Sequence, residues 1–150
     1  MLEVSLNEES LNELERIFLD YRRELEECAK KHKPTDGLFG FGHSLKDDAC
    51  HEELDKKLKA FVGGLAGDLT PTAAREVIRR LYTESDRYEY PLSAKWMLIA
   101  CERYILALIP ALTREDAAAL LAEYAKRYRP WNRLPAQKEV CAELKKKAKN

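Results

Sequence analysis

Between Trp96 and Leu112 the chain reads WMLIACERYILALIPAL, and only Glu102 and Arg103 in that run carry charge. Placed on a helix at about 100° per residue, its apolar side chains point all the way round. Such a segment is covered by neighbours on every side, which predicts a central helix over about 93–109. Lys95 and Glu102 fall on one side of that helix, with Ile99 and Leu106 projecting between them and Arg103. A charged pair in mid-run, with Pro110 ending the helix short of the ~20 residues needed to span a bilayer, argues for burial in protein and against lipid.

The flanking segments show one apolar face each. Leu11, Leu14, Phe18, Tyr21, Leu25 and Cys28 recur at steps of three and four, with Ile17 beside them, so a first helix runs to about Lys31. Ser5 with Glu8 has capping-box spacing and predicts its start. Pro34 and three glycines then break the chain in KPTDGLFGFGHS, residues 33–44. Ser44 with Asp47 opens a second helix, whose apolar face is Cys50 or His51, Leu54, Leu58, Phe61, Val62 and Leu65. Thr70-Pro71 pairs an N-cap with a proline suited to the first helical position. Val77, Ile78, Leu81 and Tyr82 give the third helix its inner side. Thr113 with Asp116 caps a fifth helix carrying Ala117, Leu120, Leu121, Tyr124 and Tyr128. RPWNRLP is a rigid connector to a last helix from about Pro135, with Val140, Cys141 and Leu144 inward and a frayed basic tail over 145–150. No stretch alternates like a strand and no repeat aligns. The pattern predicts an all-α fold, one domain over 1–150 built as a bundle of about six helices.

Length and charge sharpen this picture. The chain has 150 residues, enough for one core without staples. Its formal net charge is zero, which excludes a simple polycation acting on nucleic acid. The charge is unevenly placed, however: residues 1–55 hold 15 acidic and 7 basic side chains, and residues 126–150 hold 9 basic and 2 acidic. The four cysteines form no C-x-x-C pair, and MLEVSLNEES has neither a basic lead nor an apolar core. Reduced thiols and a cytoplasmic location are the expectation.

Candidate chemistry concentrates at the first helix junction. Cys28, His32, His43, Cys50 and His51 are five of the seven Cys and His residues, and they fall within 24 positions. Cys28 and His32 are four apart on one helical face. A hairpin bringing Cys28, His32, Cys50 and His51 (or His43) together would offer a tetrahedral zinc site, although no compact knuckle motif is present. The competing expectation is that both cysteines simply close apolar faces. No catalytic group is identifiable: no third group orients a Cys–His pair, and nothing singles out a carboxylate pair. Leu38, Phe39 and Phe41 make loop 33–44 unusually apolar, so it either plugs the bundle or forms a protein-contact loop. YAKRYRPWNR interleaves cations with aromatics, a pattern that suits single-stranded nucleic acid. The alternative is that Tyr124 and Tyr128 face the core and Trp131 packs beneath the connector. The leading expectation is a non-catalytic protein-interaction module, binding a protein partner or a second copy of itself and no membrane. A structural zinc protein and a nucleic-acid accessory protein stand behind it.

Overall fold

A computed structural model describes residues 2–31, 41–65, 69–88 and 92–149. The fold is all-α, and among the described residues there is no strand. Helix α1 spans Leu2–Lys31, α2 Phe41–Leu65 and α3 Pro71–Thr83, the last running on into a 3-10 turn at Glu84–Arg87. The central run is a composite rod of α4 (Leu92–Ala100), a 3-10 stretch (Cys101–Tyr104), α5 (Ile105–Leu108) and a closing 3-10 turn at Ile109–Ala111. Helix α6 (Arg114–Arg127) leads through a 3-10 turn at Pro130–Asn132 into α7 (Pro135–Lys149).

The two threonine caps are those expected from the sequence. The Thr70 side-chain oxygen accepts from the Ala73 amide at 3.1 Å, with Pro71 in the first turn. Thr113 does the same for the Asp116 amide at 3.0 Å, and Glu115 and Asp116 lie at the positive end of the α6 dipole. Helix α1 starts earlier than its capping-box spacing predicts, at Leu2, so Ser5 is inside the helix. Helix α2 likewise begins at Phe41 and not at Ser44. At the other end α7 continues through Lys149, where the sequence suggests fraying from 145, and Lys147 donates to the Pro110 carbonyl at 3.1 Å.

Helix α1 packs on α2 and α3, α6 packs on α7 and α3, and the composite rod joins the two halves by touching α2, α3 and α7. The predicted inward residues meet there in one continuous core, from Leu14, Phe18 and Tyr21 through Leu54, Leu58 and Ile78 to Leu120, Tyr124 and Val140. The rod is not covered all round, contrary to its apolar composition. Ala94, Leu98, Cys101, Glu102, Ile105, Leu108 and Ile109 are buried, whereas Trp96, Ala100, Arg103 and Ala107 are exposed. Those four recur at steps of four, three and four, one stripe of a helix. Two of them are alanines and one is a tryptophan, so a solvent face was hidden among residues that read as apolar.

Candidate functional site

Glu102 sits in the 3-10 stretch of the central rod with its side chain fully buried. It shares the mid-run with Arg103, but a helical step separates their directions and they have different partners. Arg103 points outward and its Nη2 reaches Asp55 Oδ1 on α2 at 2.9 Å. Glu102 points inward to α6: the Tyr124 hydroxyl donates to Oε2 at 2.7 Å and the Tyr128 hydroxyl to Oε1 at 2.5 Å. Gln137, buried in the first turns of α7, and the Arg127 guanidinium also favour the ionised carboxyl. Arg127 is itself clamped by Asp86, with Nη1 to Oδ2 at 2.9 Å and Nη2 to Oδ1 at 2.5 Å. Burial outweighs these favourable partners and pushes the Glu102 carboxyl up to about 7. The same burial, together with the neighbouring carboxylate, raises both tyrosines above the ordinary phenol range.

A second buried carboxylate, Glu84, lies in the 3-10 turn that follows α3. Glu84 has a fully buried side chain, with Oε2 2.8 Å from Arg22 Nη1 on α1. Its Oε1 is 3.3 Å from Arg80 Nη2 and 3.7 Å from Arg87 Nε, distances at which the charges attract without an aligned hydrogen bond. Glu15 on α1 answers the same three arginines, at 3.1 Å from Arg22 and 3.5 Å from Arg87 and in a short contact with Arg80. Burial raises the Glu84 carboxyl, against the pull of Arg80, Arg22 and Arg87. Glu15 is half exposed; burial works in the same direction there, but Arg80 and Arg22 overcome it and hold the carboxyl below the usual range. Tyr88 is buried beside Glu84 and packs on Tyr21 with ring centroids 6.0 Å apart. The network staples α1 to the C-terminal end of α3.

Chemically, a carboxyl near 7 is poised for acid–base work. Geometry argues against it at Glu102. Its exposure is 0%, and its hydrogen-bond partners are core side chains. Glu102 was missed in the sequence, where it reads as half of a mid-run charged pair. The signal available was the spacing to Tyr124 and Tyr128, two phenols four apart on one face of α6.

The proposed metal ligands are only partly placed. Cys28 on α1 and Cys50 and His51 on α2 are half-buried, and His51 Nδ1 is 2.8 Å from the Tyr21 hydroxyl. His32, with Leu38 and Phe39, lies outside the described residues, as do the side chains of His43 and Phe41. Among the described residues, no three His, Cys, Asp or Glu side chains gather in a metal-binding group.

The basic end is better defined. Tyr124 is buried and Tyr128 half-buried, both turned to Glu102. Trp131 is 78% exposed, so it does not pack beneath the connector. Lys126, Arg129 and Lys138 are exposed around it in the chain, and Arg133 donates from Nε to the Tyr128 carbonyl at 2.8 Å. Along α7, Lys138, Lys145 and Lys149 are exposed at steps of seven and four, on one face. No described helix is long and apolar enough to cross a membrane. Compared with protein-family models, with curated proteins and with solved structures, the chain shows no significant match.

Proposed function

We propose that this chain is a non-catalytic protein-interaction module that engages an acidic protein surface, a second copy of itself being the simplest partner, through the corner between α6 and α7. The observation that carries this reading is Trp131, 78% exposed on a 3-10 turn bracketed by prolines and cations. A large aromatic held out by a stiff turn loses little conformational freedom on binding, and tryptophan and arginine dominate interface hot spots. The cations supply charge complementarity to carboxylates, such as those abundant in residues 1–55. Light scattering at micromolar concentration tests it. Mass above 17.3 kDa at low salt is expected, falling with added salt and with Trp131→Ala. A wild-type monomer at low salt sinks the self-association form of the reading.

Nucleic acid is the second reading, favoured by the same basic end. Only one of the three aromatics in YAKRYRPWNR is free to stack, which weakens a stacking platform. Oligonucleotide binding with a steep salt slope would select this reading over the first.

A further inference from the structure

The chain passes from Lys31 to Phe41 over a short connection, and α2 packs back along α1 as an antiparallel hairpin. Side-chain contacts set its register. Lys57 Nζ on α2 lies 3.9 Å from Asp20 Oδ2 and 3.8 Å from Glu24 Oε1 on α1. The Tyr21 hydroxyl lies 2.8 Å from His51 Nδ1. Seven residues are close to two helical turns, so Cys50 occupies the same edge of α2 as Lys57, about 10 Å nearer the connection. Cys28 follows Tyr21 by two turns and Glu24 by about one, which puts it on the side of α1 that faces α2. In an antiparallel pair, two turns back on one helix match two turns forward on the other. The two cysteines are therefore level to within about a turn. We propose that Cys28 and Cys50 form an oxidisable dithiol, joined by a disulfide that locks α1 to α2 at the end of the hairpin where the chain crosses over. The lock is independent of docking at Trp131.

Accessibility singles out the same two thiols. Cys28 and Cys50 are half-buried, whereas Cys101 on the rod and Cys141 on α7 are buried. Burial also raises both of those inner thiols above the ordinary range. Thiolate is the attacking species in disulfide chemistry, so the inner pair is both sheltered and poor in the reactive form. Spacing suits the outer pair. Helices pack at about 8–10 Å, with Cα atoms on a cylinder of about 2.3 Å radius, which leaves about 4–6 Å between Cα atoms of level residues on facing edges. A disulfide spans about 4.4–6.8 Å between Cα atoms. The oxidant is a small-molecule disulfide of the glutathione type. One cysteine thiolate attacks it, forming a mixed disulfide and expelling one small thiol. The second cysteine thiolate then attacks the protein sulfur of that mixed disulfide and expels the other small thiol. Two electrons pass from the pair to the small disulfide, and the two protons end on the expelled thiols.

The experiment equilibrates the wild-type chain in glutathione redox buffers containing a metal chelator, once folded and once in concentrated guanidinium. Acid quenching, alkylation and cleavage after lysine and arginine should then give residues 24–30 joined to residues 47–56. The bridge closes a loop of 22 positions, and the constraint it places on the unfolded chain favours the fold. By linkage the fold favours the bridge by the same factor, so the folded chain should form it about a hundredfold more readily than the denatured chain. Cys101 and Cys141 should be recovered alkylated. In Cys28→Ser and in Cys50→Ser the remaining outer thiol should stop at the mixed disulfide with glutathione. A preference for the folded chain below about tenfold overturns the lock. So does the absence of the 24–30 to 47–56 link, or glutathione standing on both outer cysteines of the folded wild type. None of these results bears on the scattering of Trp131→Ala, so failure of the lock and failure of the docking reading are told apart.

Discussion

At the scale of single residues, the strongest energetic statement concerns Glu102. Its carboxyl ionises near 7 in the fold and near 4.5 in an unfolded chain. The fold therefore binds the proton more tightly, and the contribution to stability is complete below pH 4.5 and lost as pH rises to about 7. For a fully buried group this amounts to about 3 kcal/mol, at about 1.4 kcal/mol per unit. Glu84, also raised, adds in the same direction; Glu15, held low by Arg80 and Arg22, opposes it. Comparing urea unfolding of wild type and Glu102→Gln at pH 5 and pH 8 isolates the one group. The wild type should lose more stability than the variant over that interval, and equal losses would mean that Glu102 titrates normally. Little of this was legible in the sequence, because the partner phenols are 22 and 26 positions away and a charged residue beside Arg103 reads as an exposed pair.

At the scale of elements, the sequence was a good guide wherever one face alternates with another. The seams of α1, α3 and α6 and the threonine caps at 70 and 113 fall where spacing puts them, because burial and capping act over three or four residues. The central rod shows the limit. Composition marked it as the core but not which side is outward, since alanine and tryptophan tolerate both places. A paired substitution separates the two descriptions. Ile105 has 0% exposure, and Ile105→Asp should cost more than about 3 kcal/mol by placing an unpaired charge in the core. Ala107→Asp, two residues on but on the outward stripe, should stay within about 0.5 kcal/mol. Similar large losses in both would mean that the rod is covered all round after all.

At the scale of the whole molecule, the charge is partitioned along the chain and the fold keeps the parts separate. Helix α7 lies against α6 and the rod, while the acid-rich α1 lies against α2 and α3, so among the described residues the two charged ends are not principal neighbours. The basic end thus projects its own field, and Trp131 is its built-in reporter. In a Trp96→Phe chain the remaining indole is 78% exposed, with Lys126 and Arg129 exposed near it in the chain. An anionic quencher is concentrated near such a site and a cationic one is excluded, over roughly the Debye length of about 10 Å at 0.1 M salt. Iodide should therefore quench Trp131 more efficiently than caesium does, relative to their action on free tryptophan amide. The difference should shrink as sodium chloride is raised, and neutral acrylamide should quench strongly at every salt concentration. Weak acrylamide quenching would show Trp131 covered in solution, by its own chain or by a second copy, and concentration dependence of that protection would distinguish the two. Strong acrylamide quenching with no preference for iodide would leave an exposed tryptophan without the cationic field, and the complementarity on which the proposed docking depends would be lost.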